Sequence, residues 1–343
     1  MMATFLEGCL SNIYQVAKHA AVSTATVSRV LSRPDVVSPE TRRRVMDAVN
    51  VLGYAPNSAA KHLRTLRSGQ LLVIVPDISN PFFSLILRGI EETASSEGYA
   101  VLLGDTQHDE AREERYALMI RRKEADGLIF LGHRLPQTAA DLIRSSPAGC
   151  APIVNGCEFS PQLGIPSVHI DNAAAAGEAM THLYALGHRR IGVVTGPLVS
   201  PLSRDRLLGV TRAAEAERAE HNLLVMHGDF TIESGSLAGD LLLGRSNPPT
   251  AIFCFNDEMA IGALGAARRR NLQVPQHLSV VGFDDVRYAA HTNPPLTTIA
   301  QPMQQIGEYA VRLLLDLLNG KRDIPLSVTL PHKLVVRAST TRL

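Results

Sequence analysis

The chain has 343 residues, of which 45% are hydrophobic and 20% are charged, and its formal net charge is +1. This composition excludes low-complexity disorder, which needs fewer apolar residues and more net charge, and the length predicts two or more domains. Four cysteines are too few for a disulfide-rich scaffold. Apolar runs such as Leu71 to Pro76 are shorter than the roughly twenty residues of a membrane helix.

The charge is unevenly distributed. Residues 1–68 contain nine Lys or Arg and four acids, a balance of +5, whereas the remainder carries −4. A basic head on a mildly acidic body indicates a polyanionic partner for the head. By charge alone, a basic solubilising tail stays an alternative.

The first residues and the cysteines predict a cytoplasmic protein. Met1 to Leu10 include an acid and lack the basic and apolar regions of a signal peptide. The four cysteines form no C-x-x-C pair, and Cys254 lies in an apolar run typical of a small buried hydrophobe. We expect a reduced compartment, a flexible extension over residues 1–11, no cofactor and no metal site.

The head begins with two short helices. Asn12 is a predicted N-cap for a helix from Ile13, and Ser23 is one for a second helix. A tight turn over residues 20–22 separates them, which predicts a helix-turn-helix. The inward face of the second helix would hold Val27, Val30 and Leu31.

A third helix completes the head. Ser38, Pro39 and Glu40 are typical of a helix start, with proline at the first helical position. Asn57 would then cap a short stretch over residues 58–66, followed by a linker. The third helix would close the core with Val45, Ala48, Val49 and Leu52.

The outward face of the second helix suits the major groove of DNA. Thr24, Ala25 and Ser28 are small enough for close approach, and the hydroxyls can donate to phosphates or base edges. Arg29 can address guanine.

From Leu71 onward, short apolar runs alternate with amphipathic stretches, and the alternation restarts after Asn172. This pattern predicts two similar α/β lobes with parallel sheets covered by helices. Ligands bind beyond the carboxyl ends of such strands. The predicted strands end in Pro76-Asp77, Gly104-Asp105, Gly196-Pro197, Gly228-Asp229, Asn256-Asp257 and Asp284-Asp285.

The head motifs "VSTATVSRVLSRPDVVSPETRRRV" and "LGYAPNSAAKHL" resemble the DNA-binding head of the LacI/GalR repressor family. The segments "GHRRIGVVTG", "LSVVGFDD" and "PPLTTIAQP" resemble the family's periplasmic-binding-protein-like core. The resemblance implies a head over residues 12–56, a hinge helix and linker over 57–69, and a core over 70–343. It also implies crossings between lobes near Asp171, Gln301 and Ser327, so that the first lobe holds residues 70–171 and 301–326 and the second 172–300 and 327–341.

In that family the second helix enters the major groove and the hinge helix inserts a leucine into the minor groove. Leu63 falls on that position; packing against a dimer mate is the alternative. One departure is Ala21, where many relatives have glycine at the turn. The expected DNA contacts are Tyr14, Ser23, Thr24, Ala25, Thr26, Ser28, Arg29, Ser38, Thr41, Asn57, Ala60 and Leu63.

The resemblance also implies an effector site between the lobes. Aromatic faces suit a flat base, and Arg and carboxylate groups discriminate hydroxyl patterns. The expected effector residues are Asp77, Phe82, Phe83, Cys157, Glu158, Arg206, Phe230, Asn256, Asp284 and Gln301. Phe82 or Phe83 could instead cap the core, Arg206 could form a surface ion pair, and Asp257 is expected to be a helix cap. Cys157 departs from the Asp of many sugar-binding relatives and leaves the role of Glu158 open.

The segments "LVIVPDISNPFFSLILRGIE" and "NGCEFSP" resemble the nucleoside-responsive branch of the family, whose effector is cytidine. This implies a homodimeric repressor of nucleoside uptake and breakdown genes that binds a near-palindromic operator, alongside a cyclic-AMP-responsive activator. Sensing of a sugar or a purine is one alternative, and a solute-binding protein without a DNA role is another. The chain lacks the G-x-x-x-x-G-K-[ST], G-x-S-x-G and H-E-x-x-H motifs, which argues against an enzyme of nucleoside metabolism.

Overall fold

The computed structural model describes residues 12–54, 67–147, 151–159 and 163–343. The chain divides into two compact units after Ser68. The expected extension over residues 1–11 lies outside the described residues, and so do Asn57, Ala60 and Leu63 of the expected hinge helix.

The first unit contains α1 (Ile13–His19), α2 (Thr24–Ser32) and α3 (Pro39–Leu52). Two predicted caps are confirmed. Asn12 accepts from the Gln15 backbone N–H while the Gln15 side chain accepts from the Asn12 N–H, and Ser23 accepts from the Thr26 N–H. Each side chain satisfies a helix N–H that has no partner within its own helix.

Ser38 behaves differently from the prediction. It occupies the N-cap position of α3, with proline next in the chain, but its side chain makes no capping hydrogen bond. Its hydroxyl instead donates to Thr41 Oγ1 at 3.0 Å. The proline at the first helical position has no N–H, so α3 starts with one fewer N–H group that lacks an intrahelical partner.

The three helices enclose a small apolar core. Ala21 occupies the turn between α1 and α2 with a φ of +51°, so alanine here adopts the left-handed conformation that glycine adopts more easily. Gly53 ends α3 with a φ of +57°. The buried core side chains are Val16, Ala17, Ala20, Val27, Val30, Val45 and Ala48, with Val49 and Leu52 partly buried against them.

The second unit is built on two six-stranded sheets. The strands are β1 (Gln70–Val75), β2 (Ala100–Asp105), β3 (Gly127–Phe130), β4 (Ile153–Gly156), β5 (Ser167–Ile170), β6 (Ile191–Thr195), β7 (Leu223–His227), β8 (Ala251–Cys254), β9 (Ser279–Asp284), β10 (Thr297–Ala300), β11 (Ser327–Leu330) and β12 (Lys333–Val335).

The strand order is β11-β5-β4-β3-β1-β2 in the first sheet and β12-β10-β9-β8-β6-β7 in the second. All pairs are parallel except β10 with β12, which is antiparallel. The predicted α/β class with two parallel sheets is confirmed. The carboxyl ends of the parallel strands therefore meet at one edge of each sheet.

Helices cover both sheets, and each sheet with its helices forms one lobe. The helices are α4 (Pro81–Ser96), α5 (Glu110–Arg121), α6 (Gln137–Ser145), α7 (Asn172–Ala185), α8 (Pro201–Ala216), α9 (Ile232–Leu243), α10 (Asp257–Arg269) and α11 (Met303–Leu318). In the first lobe, α4 and α11 pack with the core that contains Val73 and Val154, and α5 and α6 pack with the core that contains Leu72 and Leu128. In the second lobe, α7 to α10 pack on the second sheet.

The chain passes between the lobes at three places. Asp171 joins β5 to α7, and Gln301 lies between β10 and α11. The third crossing, expected near Ser327, lies slightly further along the chain. Ser327 to Leu330 form β11, which pairs with β5 in the first sheet, so the chain crosses after Leu330. The backbone pairing of β11, which sequence alone does not reveal, sets this boundary.

Close contact between α9 and α10 depends on glycine. A Cβ added at Gly262 would collide with the Ile232 carbonyl oxygen and the Ser236 nitrogen of α9. A Cβ at Gly235 would collide with the Met259 backbone of α10. The two helix backbones approach more closely than side chains would allow.

We expect Gly262→Ala to lower the free energy of unfolding by about 1–3 kcal/mol, because backbone atoms cannot move aside as side chains can. Gly265→Ala on the same helix is the matched control. Its new Cβ would meet only Arg269 Nη1 at 3.6 Å, so we expect a gain of up to about 1 kcal/mol from helix propensity. Urea unfolding followed by circular dichroism measures both changes, and equal stability of the two variants would contradict the packing argument.

Candidate DNA-reading surface and effector site

The outward face of α2 is accessible. Arg29 and Ala25 are exposed, Thr24 and Ser28 are half-buried, and Tyr14 on α1 is 73% exposed. The buried valines of α2 face the opposite way, so packing of the head fixes which residues point outward. The structure thus brings small, hydroxylated and basic side chains to one surface.

Two hydroxyl pairs lie at helix starts of the head. Ser23 Oγ and Thr26 Oγ1 are 2.9 Å apart, and Ser38 Oγ donates to Thr41 Oγ1 at 3.0 Å. A hydroxyl has one donor and two acceptor positions, so each keeps capacity for a phosphate oxygen or a base edge.

Arg206, on α8, is the centre of a buried polar cluster in the second unit. It is 3% exposed. Its Nε donates to Asn172 Oδ1 at 2.8 Å, and its Nη1 donates to the Phe255 carbonyl oxygen. Its Nη2 lies 3.8 Å from Asp284 Oδ1. Three elements of the second lobe therefore hold one buried guanidinium group. Arg206 does not form the surface ion pair that was its alternative role.

The guanidinium also lies over an aromatic ring, with its carbon 3.6 Å from the centroid of Phe283. Burial lowers the pKa of Arg206 to about 10, although Asp284 and Glu158 act in the opposite direction. Arg206 is therefore charged at neutral pH, and its cation–π contact is desolvated.

Asp284 ends β9 with a φ of +110°, and its carboxylate faces Arg206. Gln301, at a crossing between the lobes, donates from Nε2 to Asp284 Oδ1 at 2.7 Å. Burial raises the pKa of Asp284 to about 7 against the opposing influence of Arg206 and Gln301. The neighbouring Asp285 pairs instead with Arg337 Nη2 at 2.7 Å.

Glu158 connects the two lobes. It follows β4 of the first lobe and is buried, and its Oε1 accepts from Ser200 Oγ of the second lobe at 3.2 Å. Burial raises the pKa of Glu158 to about 8, although Ser200, Arg206 and Arg204 lower it. Cys157 precedes it with a φ of +70°, is buried against the first-lobe core and donates from Sγ to the Leu131 carbonyl oxygen at 3.4 Å.

The predicted aromatic residues occupy different environments. Phe82 is buried in the first-lobe core, and Phe83 packs edge-to-face against it with ring centroids 5.2 Å apart. Phe230 in the second lobe is half-buried with a φ of +72°, and its ring lies where a Cβ of Gly196 would be. Phe83 and Phe230 are thus the accessible candidates for stacking.

Two further predicted residues have structural partners. Asn256 is the N-cap of α10, accepting from the Met259 N–H, and its Nδ2 donates to the Phe230 carbonyl oxygen at 2.8 Å. Asp77 Oδ1 accepts from the backbone and the hydroxyl of Ser79 at 2.8 and 2.7 Å. Asn256 therefore positions Phe230, and Asp77 shapes a turn.

The expectation that Asp257 caps α10 is wrong, because Asn256 is the cap. Asp257 is fully buried and accepts from Thr298 Oγ1 at 2.6 Å and from the Val286 N–H at 2.8 Å. Burial raises its pKa well above the ordinary value. It ties α10 to β10 and to the loop after β9.

Sequence reasoning missed Asn172 and Ser200. Both stand at helix starts, where small polar residues are common as caps, so their type alone does not reveal a further role. Among the described residues, no three His, Cys, Asp or Glu side chains cluster as metal ligands. No helix within the described ranges combines the length and the apolarity needed to cross a membrane.

A helix-turn-helix head followed by a two-lobed core with polar residues at its strand ends defines a DNA-binding regulator with a ligand-binding core. Residues 12–57 match the family model for bacterial regulatory proteins of the lacI family. Residues 180–340 match the periplasmic binding protein-like domain.

The chain is 45% identical over 330 residues to the HTH-type transcriptional repressor CytR of Escherichia coli K12, covering 96% of both chains. It is 36% identical to catabolite control protein A of Priestia megaterium, covering 96% of this chain and 98% of that one. The crystal structure of the lac repressor dimer bound to operator and the anti-inducer ONPF superposes with a TM-score of 0.87 at 30% identity, covering 96% of this chain and 99% of that one.

The chain belongs to the lacI family of bacterial regulatory proteins. It is a DNA-binding transcriptional repressor with an effector-binding core, and not an enzyme.

We expect Arg206→Ala to destabilise the core by about 3–5 kcal/mol at pH 8, because it leaves the Asp284 carboxylate buried without a counter-charge. The loss should be smaller at pH 5.5. Without Arg206 the already raised pKa of Asp284 rises further, so protonation below that pKa stabilises the folded variant, and this stabilisation disappears as the pH rises through it.

Thermal unfolding at both pH values measures the effect, and the double variant Arg206→Ala/Asp284→Asn is the control. Its stability should depend less on pH than that of Arg206→Ala. If Arg206→Ala lost the same stability at pH 5.5 and at pH 8, the unpaired Asp284 carboxylate would not be the cause of the loss.

Proposed function

We propose that the chain binds a near-palindromic operator as a homodimer, and that a nucleoside, with cytidine as the first candidate, controls this binding from the site between the lobes. The observation that carries the proposal is the buried cluster of Arg206, Asp284 and Gln301 at the strand ends of the second lobe. Polar groups in a desolvated site discriminate hydroxyl patterns, and the accessible rings of Phe83 and Phe230 suit a flat base.

The nucleoside assignment rests on two supports. The motifs of the first lobe resemble the nucleoside-responsive branch of the family, and the identity of 45% to the repressor CytR spans almost the whole chain. A sugar or a purine as effector is the alternative within the same architecture.

Exposed apolar side chains on the second lobe support the homodimer. Leu237 and Leu241 on α9 are 63% and 51% exposed, and Val225 on the edge strand β7 is 39% exposed. Leu237 and Leu241 are four residues apart on α9 and so share a face. Exposed apolar surface of this kind marks interaction sites, and a second copy could bury it around a two-fold axis.

The mechanism is linkage between two binding sites. The effector binds one arrangement of the lobes more tightly, and operator affinity changes by the same coupling free energy. Two heads reading half-sites about one helical turn apart account for a near-palindromic operator. By resemblance, the regulated genes serve nucleoside uptake and breakdown, a cyclic-AMP-responsive activator acts beside the repressor, and the protein works at the nucleoid in the cytoplasm.

We expect Arg29→Ala to weaken specific operator binding by about 1–3 kcal/mol and to relax the preference at one base pair, because a bidentate contact to guanine is lost. Arg33→Ala, at the far end of α2, is the control and should change affinity evenly across sequences. Affinities for a set of operator variants, measured at one salt concentration, distinguish the effect of Arg29→Ala from that of Arg33→Ala. Equal losses on all sequences for Arg29→Ala would make Arg29 a phosphate contact.

We expect calorimetric titration of the purified protein to give saturable binding of cytidine in preference to adenosine, uridine, ribose and fructose. Arg206→Ala should abolish effector binding and response while operator binding is retained, and circular dichroism at the assay temperature should show that the destabilised core is still folded. Preference for a sugar or a purine would discard the nucleoside assignment, and an unchanged response in Arg206→Ala would remove Arg206 from the site.

A further inference from the structure

Two buried polar atoms near the start of α8 have no hydrogen-bond partner among the described residues. They are Glu158 Oε2, from the first lobe, and Ser203 Oγ, from the second. Glu158 is 7% exposed and Ser203 is fully buried. A buried polar group without a partner costs about 1–3 kcal/mol, so each atom calls for an explanation.

The turn that carries Glu158 is held on both sides. The Glu158 backbone N–H donates to Asn155 Oδ1 at 3.1 Å, and Asn155 Nδ2 donates to the Gly132 carbonyl oxygen at 3.0 Å. Cys157 has a left-handed φ of +70°, and the Glu158 side chain that follows it is buried. The position of the carboxyl group is therefore built by the ends of β3 and β4 rather than by a flexible loop.

The start of α8 presents its hydroxyls to that carboxyl group rather than to its own backbone. Ser200 is the N-cap residue, yet its side chain makes no capping hydrogen bond and instead donates to Glu158. Ser203 lies three residues further, on the same helix face as Ser200, and Arg206 lies three residues beyond Ser203. All three side chains are buried, so this face of α8 is a polar row inside the protein.

We propose that Glu158 and Ser203 form an effector subsite that binds an uncharged hydrogen-bond donor, a hydroxyl or an amino group, and ties the two lobes together when the effector is bound. The inference rests on the proposed function, because it assigns residues to the same interlobe site. Glu158 Oε2 accepts from the donor, while Oε1 keeps its bond from Ser200. Ser203 Oγ pairs with a neighbouring polar atom of the ligand.

The charges around Glu158 predict a proton-linked effect. Burial raises the pKa of Glu158 to about 8, helped by the nearby Asp205, while the hydrogen bond from Ser200 and the charges of Arg206 and Arg204 lower it. A donor on Oε2 favours the charged carboxylate and lowers that pKa. Effector binding near pH 7 should therefore release a proton, and affinity should rise as the pH rises from 6 to 8.

The test is calorimetry with cytidine in two buffers of different ionisation enthalpy, on the full chain. We expect Glu158→Gln to lower cytidine affinity by about tenfold or more and to abolish proton release, and Ser203→Ala to lower affinity by a smaller factor. Glu178→Gln, on α7 and paired with His332, is the control and should match the wild type. Unchanged operator binding without effector shows that each variant is folded.

Titrations with uridine and 2′-deoxycytidine identify the group of the ligand that donates to Glu158. If the base amino group binds Glu158, the Glu158→Gln loss appears with cytidine and 2′-deoxycytidine but not with uridine. If the 2′-hydroxyl binds, it appears with cytidine and uridine but not with 2′-deoxycytidine. An equal loss with all three points to another hydroxyl of the sugar.

Wild-type affinity and proton release in Glu158→Gln would overturn the subsite, and so would proton uptake by the wild type. If the wild type binds a sugar or adenosine in place of cytidine, the nucleoside proposal changes and the same variants test the subsite with that compound. Absence of binding by every compound would overturn both proposals.

Discussion

The charge of Arg206, buried in the second lobe, is the constraint around which the proposed effector site is arranged. Taking a guanidinium out of water costs several kcal/mol unless hydrogen bonds and an opposite charge replace the solvent. Asn172, the Phe255 carbonyl oxygen and Asp284 supply these partners. The start of α7, the end of β8 and the end of β9 must therefore meet at one point, which is where the second lobe faces the first.

In the proposed mechanism, the same region connects ligand binding to the arrangement of the lobes. Gln301 lies at a crossing and donates to Asp284, so the linking segment is bonded to the cluster itself. Glu158 reaches across from the first lobe to Ser200. An effector that bonds to groups from both lobes favours one of their arrangements over others, and this differential affinity is what coupling to operator binding requires.

Much of the fold could be predicted because its determinants are local. Asn12 and Ser23 cap helices through backbone groups only three residues away, and the alternation of apolar runs predicted both sheets. The predictions failed where a partner distant along the chain determines what a residue contacts. Asp257 looks like a cap, but bonds to Thr298 and Val286 use its carboxylate. The sequence predicts a return to the second lobe near Ser327, yet β11 pairs with β5 of the first lobe.

The sequence by itself determined the helix-turn-helix head, the α/β class, the family and the positions of most polar residues at strand ends, because these depend on spacing along the chain. Only the tertiary structure decided which of those residues face one another. Asn172 and Ser200 look like ordinary helix-start residues, and their bonds to Arg206 and Glu158 span 34 and 42 residues. Such contacts depend on strand register and on the approach of two lobes, which no local pattern encodes.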